Sequence, residues 1–294
     1  MAKSLLHSDL LRRLDQLELQ PRRVLGGVLR GERRSRKRGQ GIDFADYRHY
    51  TSGDDLRFID WNIYGRLDRL FVKLFQEEQD LQVHILLDTS RSMAYGDPPK
   101  IDFARRAAAA IAYVALTGQD KLSLTCFQAE PGARFGPARG RHHVRRLFGM
   151  LDSIEPDGRT SLRAICRGLA QRVRGRSLVI VISDFLDPEG FEPALRWLVR
   201  DSFDVTVLHT LAPQEIDPKL TGHLELRDME TDHKVEVTVT PRLKAAYKRN
   251  LEAYITQIQQ YCTRLGMLYM LLPTDTPIED LVLKRLREGG LLRT

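Results

Sequence analysis

Cysteine is scarce in this chain: three in 294 residues, Cys126, Cys166 and Cys262, far apart in sequence. That excludes a disulfide framework and a zinc site, and it reads as buried thiols in a reducing compartment. Long apolar runs are missing too. None approaches the roughly 20 residues that a membrane helix needs. The first nine residues meet Asp9 early and carry no long apolar core, so they do not read as a secretory signal. The expected location is the cytoplasm, with no membrane span. A phosphate-cradling loop of the G-x-x-x-x-G-K-S/T kind is also missing, which argues against ATP hydrolysis by this chain.

What is present is ordinary for a globular protein: 42% hydrophobic and 29% charged residues, enough for a normal core. The net charge of +7 is local. Arg22, Arg23, Arg30, Arg33, Arg34, Arg36, Lys37 and Arg38 face only Glu32 within one short segment, and the rest of the chain is balanced. Segment 22–38 lacks the interleaved aromatics of a single-strand binding platform. It reads as a solvated connector first, an acidic-partner dock second, and a nucleic-acid or membrane contact last.

Residues 5–19 place Leu6, Leu10, Leu14 and Leu17 at helical spacing, which predicts one amphipathic helix. Residues 69–79 alternate as a strand. From residue 82 onward the pattern becomes strand, then helix, repeatedly. Strands are expected at 83–87, 122–127, 178–182, 205–211 and 267–272. Helices are expected at 101–116, 144–151, 162–173, 191–199, 241–264 and 277–287. Residues 133–135 form a short partner strand. Two alternating runs, 224–229 and 234–239, flank Glu230-Thr231-Asp232-His233 and predict an inserted β-hairpin. This alternation implies an α/β fold with a mostly parallel sheet covered by helices on both faces. The expected division is 1–80, an N-terminal extension with the helix and the basic segment, and 81–294, the α/β domain, with its hairpin insertion at about 213–240.

In such sheets, sites form beyond the carboxyl ends of strands, near a switch in strand order. Two expected strands end in Asp88 and Asp184. After the first comes Asp88-Thr89-Ser90-Arg91-Ser92. An acid and two hydroxyls are hard oxygen donors, suited to Mg²⁺ and not to a soft metal. This loop resembles the metal-ion-dependent adhesion site of von Willebrand factor A domains, written D-x-S-x-S. That resemblance also implies Thr160, with Ser161 as its rival, and Asp184. It implies that Ser90 and Ser92 bind the ion directly and Thr160 directly or through water. Asp88 and Asp184 act largely through water, and the open position takes a carboxylate from a partner protein. Mg²⁺ is the expected ion, with Mn²⁺ or Ca²⁺ as substitutes.

A second signature precedes that loop: Asp46, Arg48, Tyr50, Gly53, Asp54, Asp55, Arg57, Ile59, Asp60 and Trp61. It resembles the bacterial domain-of-unknown-function 58 family, in which such a run leads into a von Willebrand factor A-like, Rossmann-type domain. Alternating Asp and Arg first suggest ion pairs that lock this segment in place; a recognition surface is the other reading. The resemblance implies a non-enzymatic adaptor working with a MoxR-type AAA+ ATPase. The rival readings are a Mg²⁺-dependent phosphoryl-transfer enzyme with Asp88 as nucleophile and nucleic-acid binding through 22–38. Against the enzyme, Ser90 stands where a second acid belongs, and no Lys is evident beside Asp184. His142-His143 reads as a surface helix start, and His84 as a hydrogen-bonded core residue.

Overall fold

A computed structural model describes residues 5–22, 43–51, 56, 59–76, 81–128, 131–200 and 202–293. Most of the basic segment, with Gly53, Asp54, Asp55 and Arg57 of the signature, lies outside these residues.

The chain forms two compact units, Met1–Leu25 with Leu81–Thr294, and Gly26–Asp80. The larger opens with α1 (Ser8–Leu14) and β1 (Glu18–Leu19). In the smaller, β2 (Asp43–His49) leads to α2 (Trp61–Leu67) and β3 (Phe71–Gln76), and β2 pairs antiparallel with β3. Asp60 begins α2 as an N-cap: its carboxylate accepts from Asn62 N at 2.9 Å and Ile63 N at 3.2 Å. Tyr47 donates to its other oxygen at 3.0 Å. One residue of the signature thus has a local structural task.

The larger unit continues with β4 (Gln82–Asp88), α3 (Lys100–Thr117), β5 (Lys121–Phe127), β6 (Pro131–Ala138), α4 (Val144–Asp152), α5 (Leu162–Arg172) and β7 (Ser177–Ser183). Then come α6 (Glu192–Leu195), β8 (Phe203–Leu211), α7 (Pro213–Ile216), β9 (Gly222–Arg227), β10 (Lys234–Val239), α8 (Pro241–Arg264), β11 (Leu268–Pro273) and β12 (Leu292–Arg293). Six strands form the central sheet in the order β11-β8-β7-β4-β5-β6. All neighbours are parallel except β5 and β6.

Alternation along the strands sends side chains to opposite faces. Val83, Ile85 and Leu87 join α1, α3 and α4 in one core, while Leu86, Val179 and Val181 join α5, α6 and α8 in another. The mostly parallel sheet with helices on both faces is therefore observed, consistent with a von Willebrand factor A-like, Rossmann-type fold. Among the described residues, no helix is long and apolar enough to cross a membrane.

Three local expectations change. The helix predicted over 5–19 stops at Leu14, because Leu17 N turns back to Leu14 O at 3.0 Å and Glu18–Leu19 then pairs with Leu292–Arg293. Its leucines stay buried in the core of the larger unit, so these residues group with 81–294 rather than with the extension. The helix predicted over 191–199 is short, Glu192–Leu195, and tightens into a 3₁₀ turn at Arg196–Leu198. His84 is buried, but among the described residues its Nε2 has no hydrogen-bond partner.

Candidate functional site

The chain reverses its direction of travel across the sheet between β4 and β7. From β4 it proceeds to β5 and β6 on one side; from β7 it proceeds to β8 and β11 on the other. Connections leave this point toward opposite faces and open a crevice beyond the strand ends. Asp88 is the last residue of β4, and Asp184 directly follows β7. Both are fully buried.

Local hydrogen bonds shape each loop. Asp88 Oδ1 accepts from Ser90 N at 3.0 Å, which bends the chain immediately after the strand. Ser92 sits in the 3₁₀ turn Arg91–Ala94. The Thr160 loop is fastened to this one by two backbone bonds, Asp157 N to Thr89 O and Arg91 N to Gly158 O, each 2.9 Å. Gly158 makes that approach with φ of +70°, a left-handed conformation that favours glycine. Asp187, from the loop after β7, accepts from Leu162 N at 3.0 Å and so anchors the start of α5. Phe185 also takes a left-handed φ of 56°, uncommon for a bulky residue. It is held by its N–H on Ser183 Oγ at 3.0 Å and by the Tyr254 hydroxyl on its carbonyl.

All five residues expected from the sequence meet here. Ser90 Oγ and Ser92 Oγ are 3.0 Å apart, and Ser92 donates to Asp184 Oδ2 at 2.8 Å. Thr160 Oγ1 lies 3.4 Å from Asp88 Oδ2. The side chain of Ser161, the rival to Thr160, makes no hydrogen bond that caps α5.

Four further participants were missed. Ser183 donates to Asp88 Oδ2 at 2.6 Å. Lys100, at the start of α3, is 2.7 Å from Asp184 Oδ2 and 2.6 Å from Glu215 Oε1. The absence of a lysine beside Asp184 inferred from sequence is therefore corrected: folding brings Lys100 there from a distant helix start. The fourth is Glu230, from the turn between β9 and β10, whose Oε2 accepts from Thr160 N at 3.3 Å. Ser183 adjoins Asp184 and could have been found from the strand end. Nothing in the sequence pointed to Lys100, Glu215 or Glu230.

The electrostatics follow from burial. Asp88 is pushed up to about 7, first by desolvation and then by the nearby charge of Asp184. Burial would lift Asp184 as well, but the Lys100 ammonium and the Ser92 hydroxyl hold it below the usual carboxylate range. Two buried acids thus face each other with one lysine between them and Glu215. Among the described residues, no three His, Cys, Asp or Glu side chains cluster as a metal set. The donor set is instead hydroxyl-rich, two acids with Ser90, Ser92 and Thr160. Hard oxygen donors of this kind suit a hard divalent cation. Beside Ser92 a groove of about 640 Å³ opens, lined by Leu186, Leu226, Met229, Val239 and Tyr247.

Among solved structures, the chain is similar to the conserved hypothetical protein BatB from Bacteroides thetaiotaomicron, at 16% identity and a TM-score of 0.46, covering 71% of this chain and 98% of that one. It is also similar to an aerotolerance-related membrane protein from Bacteroides fragilis, at 19% identity and a TM-score of 0.46, covering 71% and 98%. Uncharacterized proteins of Mycobacterium tuberculosis and Mycobacterium bovis are 27% identical over 267 residues, 89% of this chain and 84% of theirs. The family described as protein of unknown function DUF58 matches residues 46–256, a stretch that holds the whole signature from Asp46 to Trp61, both strand-end acids and the hairpin. By that match over most of its length, the chain belongs to the DUF58 family.

Proposed function

We propose that this chain is a non-enzymatic, Mg²⁺-dependent protein-interaction module of the von Willebrand factor A type. The observation that carries the reading is the meeting of three separated loops: Ser92 touches both Ser90 and Asp184, and Thr160 reaches Asp88. Ser90 and Ser92 would hold the ion directly, Thr160 directly or through water, and Asp88 and Asp184 largely through water. The ion supplies a Lewis-acidic position that an outside carboxylate can occupy. This chain's residues orient that ion and exclude bulk water from its buried side. The partner is a protein that presents an Asp or Glu.

The family resemblance points to a MoxR-type AAA+ ATPase as that partner, with the chain acting as an adaptor in protein remodelling or complex assembly in the cytoplasm. The test is capture by the immobilised full chain with Mg²⁺ and with EDTA, read by mass spectrometry. Ser90→Ala with Ser92→Ala is expected to abolish Mg²⁺-dependent capture while the fold persists. Capture of the same partner in EDTA would sink the reading.

One observation favours a second reading, phosphoryl transfer from Asp88: Lys100 stands beside Asp184, as a charge-stabilising lysine would. Two features oppose it. Lys100 is fully buried and already engaged by two carboxylates, and Ser90 occupies the place of the second acid. Phosphatase turnover with Mg²⁺ that disappears in Asp88→Asn would favour the enzyme instead.

A further inference from the structure

The β9–β10 hairpin forms a two-stranded sheet of its own, and most of its residues are exposed. An isolated pair of strands is marginal in water, so its position depends on what its turn touches. That turn is well ordered by Asp228, whose Oδ1 accepts from Glu230 N at 3.0 Å, Thr231 N at 2.6 Å and Thr231 Oγ1 at 2.7 Å. The ring of bonds leaves Glu230 projecting, and it is half-buried on a largely exposed hairpin.

Its carboxylate accepts from Thr160 N at 3.3 Å. Burial lifts it above the usual carboxylate range, while that N–H and the nearby Ser92 and Ser90 hydroxyls favour its charged form. These are three of the five residues in the candidate cation site. A neighbouring latch supports the docking. Arg91, between the two serines, pairs with Asp232 of the turn at 3.4 Å and with Asp157 at 3.5 Å. Both pairs are exposed, so each contributes little. The hairpin is thus held weakly, by its tip. Without a cation, Glu230 brings a third carboxylate toward Asp184, and their charges oppose each other. A divalent ion would turn that repulsion into attraction.

Resting on the Mg²⁺ reading above, we propose that Glu230 is a built-in carboxylate ligand of this site: it takes the open position assigned to a partner's acid, and the β9–β10 hairpin must withdraw before an outside acid can bind. The hairpin then acts as a tethered competitor. A partner has to exceed its effective concentration, so only a high-affinity or multivalent acid displaces it.

The test uses the full chain and Mg²⁺ alone. Calorimetric titration is run on the wild type, Glu230→Gln, and Ser90→Ala with Ser92→Ala. Amide exchange of residues 222–239 is followed in parallel, with and without Mg²⁺. In the wild type, Mg²⁺ is expected to slow exchange across the hairpin. Glu230→Gln is expected to bind Mg²⁺ at least tenfold more weakly and to lose that slowing, with an unchanged far-UV spectrum. Asp232→Asn serves as a second variant: it loosens the hairpin without Mg²⁺ but keeps the Mg²⁺-induced protection. If Glu230→Gln binds Mg²⁺ as the wild type does, and Mg²⁺ leaves hairpin exchange unchanged, the internal-ligand proposal is overturned and the site reading stands. If the wild type binds no Mg²⁺, the site reading fails and the proposal fails with it.

Discussion

Lys100 Nζ lies 2.7 Å from Asp184 Oδ2, and the two side chains are 0% and 1% exposed. The pair ties the first residue of α3 to the residue just beyond β7, and the same ammonium reaches Glu215 on α7. A charge taken so far out of water survives only through its partners. Lys100 keeps its proton because Asp184 and Glu215 outweigh the burial that would otherwise remove it.

Removing the lysine should therefore be costly. Lys100→Met is expected to lose about 3–5 kcal/mol of stability, measured by urea unfolding in EDTA, because Asp184 is left buried without its counter-charge. Adding Asp184→Asn should cost less than the sum of the two single changes. Additive losses would mean that the two groups are not coupled.

The pH dependence of stability should carry a contribution from His84. Burial, and then the charge of Lys121, lowers it to about 4 from 6.5. The unfolded chain takes up this proton first as the pH falls. Its contribution is thus fully present above pH 6.5 and is lost on the way down to pH 4. The loss is about 3 kcal/mol at about 1.4 kcal/mol per pH unit. Unfolding free energies at pH 7 and pH 4.5 should differ less in His84→Leu than in the wild type. An equal difference in both proteins would remove His84 as the cause.

The N-terminal leucines belong to the main core. Leu14 is fully buried within the cluster that includes α3. The neighbouring Asp15 accepts from Tyr113 at 2.6 Å and pairs with Arg141 at 3.1 Å. Leu14→Ala is expected to cost about 2–5 kcal/mol, read as a lower urea midpoint for the larger unit. A change below 0.5 kcal/mol, on the scale of about 0.5 kcal/mol typical for surface sites, would show that this segment is not part of the cooperative core.

Much of this architecture was written in the local pattern. The apolar strands that become β4 and β7 announce themselves by run length, and the acids that follow them mark their ends. The D-x-S-x-S loop is legible because its donors are close in sequence. The hairpin strand at 234–239 appears with the bounds expected of it, because alternation and a polar turn are local signals. Boundaries set by distant partners were less legible. The helix after residue 5 ends early because Glu18–Leu19 finds a strand near the other end of the chain. Helical periodicity alone would bury one face of α3, yet Ala107 through Leu116 are all enclosed, since the helix lies under the sheet and is covered again by α1 and α4.

By itself, the sequence determined the layered α/β order, the two strand-end acids and the hydroxyl loop, because each depends on periodicity or on neighbours a few residues away. Only the tertiary structure decided which charges share the site. Lys100, Glu215 and Glu230 come from a helix start, a four-residue helix and a hairpin tip with no common spacing. They meet because the sheet's switch in strand order gathers those connections at one edge, where burial makes each charge depend on the others.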